Sequence, residues 1–409
     1  MHLVRRHPIA LLLAALILLA ALWPLPALVD AVTGAVPGDV ELVRPPAYVA
    51  LAPLSDVLDA LTFLTLERAR ALLLVWGLGL AAWGALRPGS SVRLRVGRAL
   101  VGPLALLLLG AAAVLLPRPV PSLTAADSSA TVIDYHSHTE ASWDARAGWT
   151  AARLARWHAG QGFQAAYVTD HNALFDSTIE GKGGGGEHPV RLLPGAEWSV
   201  YRLHVVALGA ARPIDRERFS GNAPAMLRLF AELHAQGAMG IASLPEYWMN
   251  YWDDLDALIA AGADGFEIMN CAPKALAFPT AARRRVVELA ARHDVMVVGA
   301  SDHHGWGKAS CVWNLAHPSE HGYRANRVYA RPLALAQGDW PAWAAAWTQA
   351  WLMFRSLSWS ERVSWLTWIL LLTIYRGVPR RQGQGAGLGI LARSLSLRGF
   401  FTRAVARPT

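Results

Sequence analysis

Charge is scarce in this chain: Asp, Glu, Lys and Arg together make up 17% of its 409 residues, while 54% are apolar. That balance is unusual for a soluble protein and points to membrane segments. Cysteine is scarcer still. Cys271 and Cys311 are the only two and form no Cys-x-x-Cys pair, which excludes a zinc ribbon and a thioredoxin-type redox motif. They read either as one disulfide, if the domain lies outside the cytoplasm, or as two buried thiols. A phosphate-cradling Gly loop is also lacking: no Gly-Lys-Ser/Thr and no helix start follow Gly183 to Gly186, so that run reads as a flexible loop. The net charge of +8 does not point to nucleic acid, because the arginines cluster beside apolar runs, where they suit anionic lipid.

Apolar runs are what the chain has in plenty. Residues 8 to 28, 69 to 86 and 99 to 116 each approach the ~20 residues a bilayer requires, and they predict three membrane helices in a region ending at 116. Arg5 and Arg6 precede the first run, and Arg87, Arg93, Arg95 and Arg98 separate the second from the third. By the positive-inside rule the third helix exits on the far side, so a domain that follows it is periplasmic or extracellular in a multi-pass membrane protein. Residues 117 to 130, with Pro117, Pro119 and Pro121, read as a linker. Beyond 335 the chain has Trp340, Trp343, Trp347 and Trp351 at helical spacing, read as core or as a headgroup-level belt, then a shorter apolar run over 362 to 376, read as a C-terminal membrane helix or a re-entrant or interfacial one, and an Arg-rich tail to 409.

Between 131 and 335 the pattern changes. Short apolar runs at 131–136, 164–169, 191–197, 203–208, 238–243, 263–269, 295–300 and 326–330 predict strands, and helical stretches lie at 149–160, 224–236, 252–261 and 280–292. This alternation predicts an α/β fold with a parallel sheet or barrel and a site at the strands' C-terminal ends. Metal-ligating residues gather at those ends. Asp134-Tyr-His-Ser-His-Thr places His136 and His138 at i and i+2, on one side of a strand's end, where two imidazoles can share a divalent cation. Asp144 follows shortly. Asp170-His171-Asn172 closes the second strand, Glu197 the third, His204 opens the fourth and Asp302-His303-His304 closes the seventh. Singly, each reads as a cap, a buried pair or a core histidine; together at strand ends they read as a site.

These stretches resemble the PHP family, named for its polymerase and histidinol phosphatase members. The matching pieces are Asp134 to Thr139 with Ser142-Trp-Asp144, Thr169-Asp-His-Asn172, Pro194-Gly-Ala-Glu197, His204 to Gly209 and Ser301-Asp-His-His304, in order along 131 to about 330. The resemblance implies a distorted (β/α)7 TIM-like barrel holding two or three divalent cations, and a hydrolase of phosphoesters or, in some branches, of amide or carbamate bonds. Carried over by position, His136, His138, Glu197 and Asp302 hold one metal, Glu197 and His204 a second, and Asp144, His171 and His304 a third. Mixed imidazole and carboxylate ligands suit Mn²⁺, Zn²⁺ or Fe²⁺. Asp302 and Glu197 are the expected proton acceptors with His303 in support, and Arg202, Lys274 and Lys308 could orient an anion. The family usually has His-Pro at the end of the fifth strand where this chain has Leu244-Pro245, so one ligand of the second metal is missing. Glu246, Cys271 and His303 are the candidate substitutes, and Glu267 reads as a substrate contact or a structural carboxylate.

The expected function is therefore a membrane-anchored metal-dependent phosphoesterase acting on a small or lipid-linked ester, with membrane lipid as its other partner. A carbamate or amide hydrolase on the same metals, or a non-catalytic metal- or ligand-binding module, are the alternatives. Trp143, Trp198, Trp248, Trp252, Trp306 and Trp313 are candidates to wall an apolar pocket beside the metals.

Overall fold

The structure, a computed structural model, describes residues 7–86, 91–175, 190–250, 253–307, 309–319 and 322–377. Arg87, the Gly183 to Gly186 run, Trp252, Lys308 and the tail beyond 377 lie outside the described residues. The chain divides into residues 15–365 and a smaller unit of 1–14 with 366–409. The account below concerns the larger unit.

Its strands are β1 (Val29–Asp30), β2 (Val40–Val43), β3 (Ser122–Ala125), β4 (Thr131–Asp134), β5 (Ala165–Val168), β6 (Arg191–Val200), β7 (Leu203–Leu208), β8 (Met239–Ser243), β9 (Gly265–Asn270), β10 (Met296–Ala300), β11 (Val312–Ser319) and β12 (Gly322–Ala330). Ten of them form one sheet in the order β1-β12-β11-β4-β5-β6-β7-β8-β9-β10. Strands β5, β9 and β10 are buried at every position, because helices cover their outer face and side chains fill the interior. The covering helices include Ala151–Gln161, Ala223–His234 and Thr280–Arg292.

The sheet curls until β10 lies against β11 and β12. No ladder joins β10 to β11. Asn314 links that edge instead: its Nδ2 donates to the carbonyls of Ile133 (3.0 Å) and Gly299 (2.7 Å), and its Oδ1 accepts from Gly299 N (2.7 Å). Gly299 has to be glycine, since a Cβ there would stand 2.2 Å from a Val312 methyl. Inside lie Ile133, Tyr135, Tyr167, Leu193, Val206, Ile241 and Val298.

The fold is mixed α/β and barrel-like, and besides β11, which is antiparallel to both β4 and β12, it has two departures from the expected parallel sheet. β4, β5 and β6 are parallel, as are β8, β9 and β10, but β7 is antiparallel to both neighbours. Only Tyr201 and Arg202 separate β6 from β7, and two residues can close a hairpin but cannot make the crossover a parallel pair needs. Arg202 turns that corner at φ 62. The second departure is in the segments before 131. β1 pairs with β12, and β3, in the stretch read as linker, pairs with β2.

Among the described residues one helix, Val92–Leu115, is long and apolar enough to cross a bilayer, and Pro8–Ala20 is apolar but shorter. The other two expected spans are helical but carry charges committed to protein partners. Leu66–Ala85 opens with Glu67 and Arg68, the latter buried and donating to the Trp340 carbonyl. In Trp359–Gly377, Glu361 is buried and paired with Arg44 at 2.5 Å. Of the tryptophan stripe, Trp340, Trp343 and Trp347 are exposed and Trp351 is half-buried, so most of it faces outward.

Candidate metal centre

His136 and His138 follow β4 directly, and backbone bonds fix them against the end of β10. Asp302 N donates to the His136 carbonyl (2.9 Å) and His138 N to the His303 carbonyl (3.1 Å). Asp302 is held at φ 48 and Asn172 at φ 54, a left-handed conformation in which side chains other than glycine are uncommon and which recurs at functional sites. Glu197 lies within β6 and is bridged to His171. His204 stands across from Ser199 on one side and Ser243 on the other. The reversal of β7 matters here, because it brings the start of that strand to the ends of its neighbours, where the other ligands are.

The residues singled out in the sequence meet in space. His136 Nε2 is 3.3 Å from Glu197 Oε2 and 3.8 Å from Asp302 Oδ1. His138 Nε2 is 3.0 Å from Asp302 Oδ1. His204 Nδ1 is 2.5 Å from Glu197 Oε1, and His171 Nδ1 is 2.7 Å from Glu197 Oε2. Asp144 Oδ1 lies 3.4 Å from His171 Nε2 and 3.2 Å from His304 Nε2. Three overlapping donor groups result: His136, His138 and Asp302; His171, Glu197 and His204; and His138, His171 and His304, the ligand atoms of each lying within 4.8 Å of one another.

The chemistry of this donor set fits divalent cations. The Nε2 atoms of His136 and His138 point at each other across 2.9 Å. Glu197 Oε2, Asp144 Oδ1, His171 Nδ1 and His304 Nε2 are buried without an aligned hydrogen bond, although each has an opposite partner close by. Short distances without alignment arise when lone pairs converge on shared points between the groups rather than on each other. A cation at such a point would satisfy them.

The charge states are divided accordingly. Burial disfavours the protonated ring of His138, and neighbouring His304 adds to this, pushing its pKa down to about 3. Burial opposes charge on His136 too, but Glu197, Glu267 and Asp302 outweigh it and hold the ring well above the usual imidazole value. His171 is likewise carried up to about 10, burial being overcome by Asp144 and Glu197. Burial works against ionised Glu197 and Asp302, yet His136 with His204, and His136 with His304, keep the two carboxyls well below their ordinary range. Both carboxylates thus stay ionised in a buried site, as metal ligands must.

A ring of further contacts orients the ligands. Fully buried Glu267 meets His136 Nδ1 at 2.6 Å and itself accepts from Ser243 Oγ (2.6 Å) and Asn270 Nδ2 (3.2 Å), so it is a supporting carboxylate. Ser142 Oγ meets His138 Nδ1 at 2.9 Å and donates to Asp170 (2.8 Å). Asp170 also accepts from Thr139 N and Oγ1, both at 2.7 Å. Asp134 takes His158 Nε2 at 2.8 Å. Thr139 and Ser142 stand inside the motifs that hold the ligands but have no ligand spacing of their own, and nothing in the sequence marks His158. His303 belongs to none of the donor groups. Its ring stacks on Trp157 (centroids 3.8 Å apart) with Trp149 edge-on, away from the cluster.

A cavity of about 720 Å³ opens on the cluster, lined on its polar side by Glu246, Tyr247, Lys274 and the ligands Asp144, His171, Glu197, His204, Asp302 and His304. Of the residues that could replace the missing histidine, Cys271 is excluded, because it is disulfide-bonded to Cys311 and has no thiolate to give. Leu244 is fully buried. Glu246 faces the cavity, and burial together with the charge of Asp302 raises its pKa. Tyr247 O–H lies 3.2 Å from His204 Nε2. Arg202 is exposed at the hairpin turn and does not line the cavity. Of the expected tryptophan wall, Trp143 and Trp306 line the cavity, while Trp198 and Trp313 are core.

No family model matches the chain, and no curated protein matches it. Among solved structures it is similar to a Bifidobacterium adolescentis protein provisionally described as a metal-dependent phosphoesterase, at 18% identity and a TM-score of 0.35, over 44% of this chain and 89% of that one. It is also similar to PsfC of Pseudomonas syringae, at 18% identity and a TM-score of 0.37, over 61% of this chain and 98% of the other. Likenesses of that strength carry no argument about activity, which rests on the donor set.

Proposed function

We propose that this chain is a metal-dependent hydrolase of the PHP type, acting as a phosphoesterase and anchored to a membrane. The observation that carries the reading is the convergence of His136, His138, His171, His204 and His304 with Asp144, Glu197 and Asp302 into three overlapping donor groups beneath one cavity. Bound divalent cations, Mn²⁺, Zn²⁺ or Fe²⁺, supply an acidified water and withdraw charge from the phosphoryl oxygens. The chain's own residues hold that chemistry in place. Glu267 fixes the His136 ring, Ser142 fixes His138, and Lys274 offers a cation to an anionic substrate. Water adds to phosphorus, the ester oxygen leaves, and the departing alcohol needs a proton. Glu246, which lines the cavity beside the ligands, is placed to give it.

The membrane part of the reading is supported by helix Val92–Leu115, which has Arg93, Arg95 and Arg98 at its start, by Pro8–Ala20 and by the exposed tryptophans. The Cys271–Cys311 disulfide accords with a site on the periplasmic or extracellular side. The alternative, a binding module without turnover, is motivated by Leu244 at the place of the family's histidine.

The deciding experiment is metal content and hydrolysis of an aryl phosphomonoester and phosphodiester by the purified full chain, with His136→Ala and Asp302→Ala alongside. Two or three bound cations and turnover that both variants abolish are expected. A metal-loaded protein with no turnover on any ester would favour the binding module.

A further inference from the structure

The cavity over the metal centre has two unlike walls. One is the ligand cluster with Lys274; the other is made by Leu61, Leu64, Leu66, Ala69 and Val114. Those five come from the end of helix Ala52–Thr62, the turn after it, the start of Leu66–Ala85 and the last turn of Val92–Leu115, the helix of membrane-spanning length. That helix ends on the site itself, for a Cβ at Gly307, five residues past Asp302, would lie 2.6 Å from the Val114 carbonyl oxygen. Only 6% of its apolar stretch is buried, and the flank that does not pack on Leu66–Ala85 is open to lipid.

The apolar wall is a fixed part of the site. Asp59, in the helix that leads into it, accepts from Arg118 and Arg331 at 2.8 Å each, and Tyr48 O–H donates to the same carboxylate at 3.0 Å. Leu64 and Leu72 pack with Ala345 just ahead of the exposed Trp347, and Trp76 Nε1 donates to the Ala346 carbonyl (2.6 Å). Trp143, 85% exposed, and Trp306 stand at the mouth. A metal site whose opposite wall is the end of a membrane helix, with exposed tryptophans around it, lies at headgroup depth.

We infer that the substrate is an amphiphilic phosphoester drawn from the bilayer, its phosphate on the metal ligands and Lys274 and the first methylenes of its chain against Leu61, Leu64, Leu66, Ala69 and Val114. This rests on the hydrolase reading above and adds the substrate class. The cavity is of a size that encloses a headgroup and a short length of chain, not a whole lipid.

The test uses binding, so that it does not depend on turnover. Methylphosphonate and hexylphosphonate, both water-soluble and not hydrolysable, are titrated into the Mn²⁺-loaded full chain in nanodiscs, with empty nanodiscs subtracted. Each buried methylene strengthens binding about fourfold, so about four of them against the wall give hexylphosphonate a preference on the order of 10²-fold. Ala69→Phe, which fills the wall, is expected to reduce that preference at least tenfold. Leu66→Asn, at a half-exposed helix start that tolerates the change, is expected to reduce it in the same direction. Equal binding of the two phosphonates would overturn the inference and leave the hydrolase reading standing; no binding of either would overturn both. In a second arm, a hexadecyl phosphoester is offered in the protein's own nanodisc or in separate vesicles. Faster hydrolysis in the shared bilayer is expected, and equal rates would point to a soluble amphiphile instead.

Discussion

Replacing Glu267 by Gln perturbs the site at one remove from the metal. The carboxylate is fully buried, lies 2.6 Å from His136 Nδ1 and accepts from Ser243 and Asn270. In this position it fixes which nitrogen of His136 faces the cluster and makes that nitrogen a better electron donor. Gln keeps the shape and one acceptor but removes the charge. Carboxylates that orient a metal-bound histidine typically change metal affinity or activity by about 10- to 100-fold when altered. That corresponds to about 1.4–2.8 kcal/mol of cation binding. Mn²⁺ titration of the metal-stripped full chain, wild type and Glu267→Gln, with a thermal melt to show that the variant is folded, reads this directly. The expected result is a folded variant that binds its tightest cation 10- to 100-fold more weakly. A folded variant with wild-type affinity would refute the assignment of Glu267 as the group that orients His136.

Two further predictions concern the buried polar cluster behind the apolar wall. Asp59→Ala leaves the buried guanidinium groups of Arg118 and Arg331 without their shared carboxylate, and losing one partner of such a set costs about 3–5 kcal/mol, so a large drop in melting temperature is expected; a drop matching under about 1 kcal/mol would mean water already satisfies the arginines. Burial and the neighbouring Glu361 hold the Asp56 carboxyl well above its ordinary value of 3.8. Folding therefore takes up a proton there, and this contribution to stability is present below the unfolded pKa and lost as pH rises toward the raised folded value. Asp56→Asn is expected to flatten the fall in melting temperature across that window, and an unchanged slope would sink the claim.

Most of the ligand cluster was legible because His136, His138, His171, Glu197, Asp302 and His304 sit in short motifs at the ends of apolar runs, while His204 opens such a run and Asp144 follows the first motif. The orienting roles of Thr139, Ser142 and Asp170, though these residues lie in the motifs, and the place of His158 were not, since a group that orients another side chain has no spacing of its own. Helices at 151–161, 223–234 and 280–292 fall close to where apolar periodicity put them. Membrane spans were over-read for a related reason. A run of leucines and alanines has the same composition whether it meets lipid or protein, and the buried partners of Arg68 and Glu361 lie hundreds of residues away in the chain.

By itself, the sequence determined which side chains are candidate metal ligands and where most of the central strands and helices lie, and it marked more apolar runs than the one helix with the length and apolarity to span a bilayer. These are local properties, fixed by residue type and period. Tertiary structure alone decided that β7 reverses direction and so presents His204, that Cys271 pairs with Cys311 and is unavailable to metal, that His303 packs between Trp157 and Trp149, and that the end of a membrane-length helix walls the site. Each of these depends on contacts between segments far apart in the chain, settled by burial and hydrogen-bond satisfaction over the whole unit.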